Sequence, residues 1–266
     1  MKKSLLGLVV LLMLTGCQQS NNTNVENTSI DEITTYKETI KDGKVEIDRI
    51  SYDIKSVTKI INTYDENENI IEKNTTNDDS EILIEYLYEN NQLIEDRAYS
   101  KDELSFTNYY YYEDDLLMKK KTVHKGGLET RTEYSYGDKT ETRTHYNSDG
   151  SISFITKAYL DEDGKMVEGI ITNAEGEESE SISYHYKNDL LIKGISKKEG
   201  MKIKTFNYKY NNIGDKIMDY IIFHGEVNTL LVNFYDIEYD ENLLPKTVTI
   251  YRVQSQIADE DIRDFQ

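Results

Sequence analysis

Two tyrosines one residue apart, then an acidic or asparagine-rich run, then leucine: this pattern recurs along the chain at constant pitch. It stands as Tyr86-Leu-Tyr88-Glu-Asn-Asn-Gln-Leu93, as Tyr110-Tyr-Tyr112-Glu-Asp-Asp-Leu116 and as Tyr134-Ser-Tyr136-Gly-Asp. Later copies are Tyr184-His-Tyr186-Lys-Asn-Asp-Leu190 and Tyr208-Lys-Tyr210-Asn-Asn, with reduced forms at Tyr64, Tyr159 and Tyr239. The second aromatic falls at 64, 88, 112 and 136, a step of 24, and then, after the weak copy near 160, at 186, 210 and 239, with about two extra residues before 186 and five before 239. A unit this small cannot bury its apolar side alone, so consecutive units must lie against one another.

Each repeat has a second turn at its midpoint, as in Ser100-Lys-Asp-Glu, His124-Lys-Gly-Gly127, Asn147-Ser-Asp-Gly150 and Asn173-Ala-Glu-Gly176. Turns every 12 residues or so leave stretches suited to antiparallel strands. Within them the pattern has period two: Ile82, Ile84, Tyr86 and Tyr88 alternate with Leu83, Glu85 and Leu87. The expected fold is all-β, an antiparallel meander of ~24-residue hairpin repeats over residues 31–253. Seven or eight hairpins make a sheet that must curl to cover its apolar face. We expect a long curved or spiralling sheet, with barrel-like closure as the alternative. A propeller would use two repeats per four-stranded blade, leaving too few blades to close.

The N-terminus reads MKKSLLGLVVLLMLTGC. Lys2 and Lys3 precede an apolar run from Leu5 to Leu14, which covers only about half of a ~30 Å hydrocarbon core and so suits a secretory signal rather than a span. Leu14-Thr15-Gly16-Cys17 resembles the lipobox of bacterial lipoprotein precursors. That resemblance implies a signal peptide over residues 1–16 and acyl chains, palmitate among them, on Cys17, which becomes the first residue of the mature protein. Cys17 is the only cysteine, and acylation accounts for a lone thiol in an exported chain. The implied partner is a membrane, held through the acyl anchor. The implied location is the extracytoplasmic face of the cell membrane, or the outer membrane where the organism has one. Gln18 to Ser29 is polar and asparagine-rich, so residues 17–30 read as acylated cysteine plus flexible tether. Residues 254–266 read as a polar C-terminal tail.

The repeats resemble the tyrosine–aspartate (YD) repeats of Rhs-type bacterial surface and toxin-shell proteins, most closely at Tyr239-Asp-Glu-Asn-Leu243 and Tyr88 to Leu93. The resemblance implies a wound strip of β-hairpins. It does not extend to a toxin function: the proline-rich core motif and C-terminal toxin domain of that family have no counterpart here.

Formal charge is −19, and −21 once Lys2 and Lys3 leave with the signal. A surface so acidic repels phosphate backbones, which argues against nucleic acid as a partner. Catalytic and metal motifs do not emerge. His124, His145, His185 and His224 form no HExxH, and no Gly-x-Ser-x-Gly elbow or glycine-rich phosphate loop occurs. The histidines read as solvated surface residues. Asp161-Glu-Asp-Gly164 reads as an acidic turn with glycine at positive φ rather than a calcium loop, because Ile170 stands where the last ligand should be. No cofactor is expected. The tyrosines that carry the repeat read as cross-strand packing ladders. Tyr109 and Tyr111 fall on the opposite, polar face and are the candidates for stacking on a ligand. The sequence therefore points to a non-enzymatic, surface-tethered binding or scaffolding module. A glycan or cell-wall binding module is the alternative; a hydrolase using an unrecognised carboxylate pair is a third reading.

Overall fold

The computed structural model describes residues 40–47 and 50–258. Signal peptide, Cys17 and tether lie outside these residues. A small three-stranded sheet comes first: β1 (Ile40–Lys41), β2 (Lys44–Ile47) and β3 (Ile50–Asp53). Then follow β4 (Ser56–Tyr64), β5 (Ile70–Asn77), β6 (Glu81–Glu89), β7 (Gln92–Ser100), β8 (Glu103–Glu113), β9 (Leu116–His124), β10 (Glu129–Gly137) and β11 (Thr140–Tyr146). The second half is β12 (Ile152–Leu160), β13 (Met166–Thr172), β14 (Glu178–Lys187), β15 (Leu190–Lys198), β16 (Met201–Tyr210), β17 (Lys216–Phe223), β18 (Asn228–Tyr239) and β19 (Pro245–Ile257).

Strands β4 to β19 pair antiparallel in chain order, and β19 pairs back onto β4 from Thr247↔Ile61 to Arg252↔Ser56. The meander of hairpins is present. Of the two expected arrangements, it takes the closed one: a sixteen-strand barrel rather than an open curved strip. Closure leaves no edge strand with unpaired backbone. The last strand continues to Ile257, so the barrel runs past the expected boundary at 253.

The repeat's turn residues follow from backbone geometry. Asn90 and Asn91 have φ of 51° and 62°, Asp114 and Asp115 of 49° and 64°, and Asn188 and Asp189 of 49° and 67°. These two-residue turns with both φ positive match the twist of the flanking strands, and Asn and Asp tolerate them best after glycine. Longer turns at the same rim use a side chain instead. Asp161 Oδ1 accepts from the amides of Asp163 (3.0 Å) and Lys165 (2.8 Å), and Gly164 takes φ 79°. Asp240 does the same for Asn242 and Leu244, at 2.9 Å each.

The second aromatic of most repeats sits at a break in strand register, between Leu87/Tyr88, Tyr111/Tyr112, His185/Tyr186, Lys209/Tyr210 and Thr63/Tyr64, whereas Tyr136 pairs in unbroken register with Glu141. The hydroxyl of this second tyrosine donates to a main-chain carbonyl at the start of the preceding repeat's return strand. Tyr112 reaches Leu93 O (3.0 Å), Tyr136 reaches Leu117 O (2.9 Å), Tyr186 reaches Met166 O (3.0 Å) and Tyr210 reaches Leu191 O (2.8 Å). The seam is built the same way: Tyr64 donates to Pro245 O at 2.9 Å, joining the first repeat to the last.

Register separates two faces. Tyr110 lies opposite Lys120, and Asn108 opposite Asp96 and Thr122. This face holds the buried Asp96, Ala98, Asn108, Thr156 and Ala158; the other carries the open pairs Arg97–Glu95 and Lys121–Glu129. Curling a meander shut crowds its concave side, so the tyrosine face is the inner one. Gly194 helps make that room, since a Cβ there would come within 3.3 Å of the Phe206 ring and 3.7 Å of Tyr184.

Strands β17 and β18 differ, being largely buried on both faces, and β19 adds Val253. Met218, Tyr220, Ile222, Leu230, Val232, Phe234 and Val253 form one cluster with Val45 of the small sheet, with Ile40 and Tyr52 packed against it. By register these residues lie opposite in face to Asp219 and Asn233. The small sheet therefore covers the outside of the barrel there.

Candidate binding surfaces and the membrane anchor

On the inner wall, Asp96 of β7 is 6% exposed and both its oxygens are engaged. Asn108 Nδ2 donates to Oδ1 (2.8 Å) and the Tyr110 hydroxyl to Oδ2 (2.6 Å), while Thr122 Oγ1 donates to Asn108 Oδ1 (2.6 Å). The arrangement recurs on β17 and β18. Asn233 Nδ2 donates to Asp219 Oδ1 (2.7 Å), Tyr235 to Asp219 Oδ2 (2.5 Å) and Lys216 Nζ to the same oxygen (2.8 Å). Arg252 Nε completes it on Asn233 Oδ1 at 2.9 Å. Burial first, then the neighbouring aspartate, holds the Tyr110 and Tyr235 hydroxyls well above the usual phenol range. Burial and Asp96 likewise push Tyr86 up to about 12. These tyrosines therefore remain donors. Asp96 and Asp219 lie on strands six steps apart by the shorter way round, so the two buried carboxylates belong to separate networks rather than to one pair.

Between β9 and β12 the inner wall turns basic. The Lys120 ammonium lies 5.4 Å from the centre of the Tyr110 ring, and Arg143 pairs through Nε with Glu141. His145 stacks on Phe154 with ring centres 4.0 Å apart, and its Nδ1 is 3.0 Å from Thr132 Oγ1. Burial, then the charges of Arg143 and Lys120, hold His145 down at about 4. Burial also lowers Lys120, with Asp96 pulling the other way. His145 thus departs from the expected solvated histidine. The reason lies in β11, whose Thr-Glu-Thr-Arg-Thr-His-Tyr has no apolar alternation to mark the inward side; only its pairing, Thr132↔His145 and Tyr134↔Arg143, reveals it. His185 is exposed, as expected of the polar face.

Tyr109 and Tyr111 of β8 lie on the outer wall, opposite Lys121 and Lys119. Tyr111 is 44% exposed, and the Lys119 ammonium sits 4.2 Å above its ring. Tyr109 is half-buried. Around them the wall is laced with ion pairs: Arg97–Glu95 (2.5 Å), Lys121–Glu129 (2.7 Å) and Arg131–Glu133 (2.9 Å). Among the described residues, no group of three His, Cys, Asp or Glu is placed to hold a metal.

The anchor is identified by likeness. Residues 1–18 match the family described as "Prokaryotic membrane lipoprotein lipid attachment site". The match supports a bacterial lipoprotein held at a membrane by lipid. Cys17, the single cysteine, lies within that match. The crystal structure of a porin-like protein from Bacteroides uniformis aligns over 76% of this chain and 98% of its own, at 10% identity and a TM-score of 0.34. No curated protein matches the sequence.

Proposed function

We propose that this lipoprotein is a non-enzymatic binding or scaffolding module, acylated on Cys17, tethered by residues 17–30 and exposed on the extracytoplasmic side, whose barrel stands beside the membrane rather than across it. The outer wall carries this reading. Transmembrane barrels present an apolar band to lipid, and a Lys or Arg at mid-depth costs about 2–4 kcal/mol. Here Arg97, Lys119, Lys121 and Arg131 project from the outer faces of β7, β9 and β10. Reversing the faces does not rescue insertion, because Asp96, Lys120, Arg143 and Asp219 occupy the other side. The apolar cluster on the outer side of β17 and β18 is already covered by the small sheet.

Alkaline carbonate washing of membranes tests this. Wild-type protein should resist the wash through its acyl chains, and Cys17→Ala should be released or remain unprocessed. An unacylated, processed barrel that stays in the washed membrane would show insertion and end the tethered reading.

Kinship with the tyrosine–aspartate repeats is part of the same proposal. It is supported by the tyrosine link from each repeat to the one before and by the Asp- and Asn-built turns. Exposed Tyr111, with Tyr109 beside it, favours a second reading, glycan binding on the outer wall. Lys119 competes for the ring face a sugar would use. Retention on arrayed glycans or cell-wall material that falls with Tyr109→Ala and Tyr111→Ala would support it; no retention would remove it.

A further inference from the structure

Charge is distributed unexpectedly around this barrel. In a chain of net charge −19, three basic groups, Lys120, Arg143 and His145, gather on one stretch of inner wall. Lys120 and Arg143 lie close enough for both charges to bear on the His145 ring. Among the described residues, only Arg143 of the three has a carboxylate at ion-pair distance, Glu141 on its own strand. Asp96 attracts Lys120 from β7, but both its oxygens are held by Asn108 and Tyr110. The other titratable groups facing the cluster are the phenols of Tyr110 on β8, Tyr134 beneath Arg143 at 5.8 Å and Tyr184 on β14, and beyond Tyr184 the Glu180 carboxylate, which is paired with Lys204. Holding the half-buried Lys120 ammonium with no carboxylate at ion-pair distance costs folding free energy, and a charge kept in a cleft without a close partner marks a place where a ligand can supply one. Solvent reaches the cluster: the Arg143 side chain keeps 22% of its exposure, and Lys120 and His145 are half-buried. Aromatic rings and hydroxyls line the same stretch, with Phe154 under His145 and Thr132 bonded to it.

We propose that Lys120, Arg143 and His145 form an inner-wall site for the anionic group, phosphate or carboxylate, of a ligand. This rests on the reading of the protein as a binding module and names the chemistry it selects. Lys120 supplies a compact charge and Arg143 a planar donor set. His145, neutral in the free protein, takes up a proton as the anion arrives, because a nearby negative charge favours its charged form.

The test uses the full chain in mild detergent, with inorganic phosphate, D-glucuronate and, as the uncharged comparison, glucose. Histidine ring resonances followed by NMR should show His145 titrating near 4 in free protein and at higher pH with phosphate or glucuronate, and unmoved by glucose. Phosphate alone or glucuronate alone tells which anion class the site takes. Lys120→Gln should weaken anion binding about tenfold or more, with a thermal midpoint at or above that of the wild type as the control for folding. Should Lys120→Gln fail to fold, the wild-type His145 titration decides alone. The proposal falls if neither anion shifts that titration at tens of millimolar, or if folded Lys120→Gln binds as wild type does. Retention of a neutral glycan or a protein under the same conditions would leave the binding module standing without this site; retention of no ligand class would undo both.

Discussion

Two walls of one barrel are stabilised by different physics. Across β17 and β18 the strands are largely buried on both sides: the outer side chains of Met218, Ile222, Leu230, Val232 and Phe234 are at most 2% exposed beneath the small sheet. Across β7 to β12 the outer wall is wet and charged, and the inner wall is held by hydrogen bonds centred on Asp96 and by tyrosine rings. Hydrophobic burial is non-directional and large per side chain, whereas each net hydrogen bond contributes about 1 kcal/mol. The dry wall is therefore the anchor of stability, and the wet wall is where the protein can tolerate chemistry directed at a partner.

The sharpest test of that contrast is Phe234→Ala. Phe234 is 1% exposed, and its truncation should cost about 3–5 kcal/mol in urea unfolding through lost transfer energy and a cavity. A cost below about 1 kcal/mol would mean the small sheet is not packed as a second layer. On the wet wall the largest effect should come from Asp96→Ala, which orphans the Asn108 amide and the Tyr110 hydroxyl. Expected destabilisation is about 2–3 kcal/mol, and a loss as large as that of Phe234→Ala would erase the distinction between the walls.

The repeat, the strand period and the inward tyrosines were all legible, because a 24-residue register and period-two alternation are local signals. Closure was legible only as an alternative. It depends on β19 meeting β4, a pairing of residues nearly two hundred positions apart that no local pattern encodes; Tyr64 and Pro245, which link across it, look like an ordinary repeat and an ordinary turn. The dry wall did leave a trace. Lys216 to Phe223 (KIMDYIIF) and the start of β18 are nearly continuous apolar runs, the mark of strands covered on both sides, and their departure from alternation announces a second layer. The basic inner cluster left none, since threonines flank Arg143 and His145 and hide which side faces in. Neither Tyr109 nor Tyr111 is tied to a ligand by the geometry; what the register fixes is their place on the outer wall.

A smaller effect separates the seam from the body of the barrel. Tyr112→Phe and Tyr64→Phe each remove one hydroxyl bond to a carbonyl, at about 1 kcal/mol. If the seam is an ordinary repeat junction, the two should destabilise equally in urea, with the same m-value. A seam that opens first would show itself as a larger loss for Tyr64→Phe and faster amide exchange along β4 and β19 than along β8 and β9.

The smallest expected effect is also the one that discriminates function from packing. Tyr111→Ala removes an exposed ring and its contact with the Lys119 ammonium, a loss of under about 1 kcal/mol at so open a site. The wet wall should therefore accept the change with its thermal midpoint nearly intact. Stability that stays while retention on a glycan or partner disappears would place Tyr111 in a contact surface. Stability that drops by 2 kcal/mol or more, well beyond ~1 kcal/mol for an exposed cation–π pair, would instead make the ring part of the wall's own packing, and the division between a dry, structural side and a wet, available one would have to be redrawn through β8.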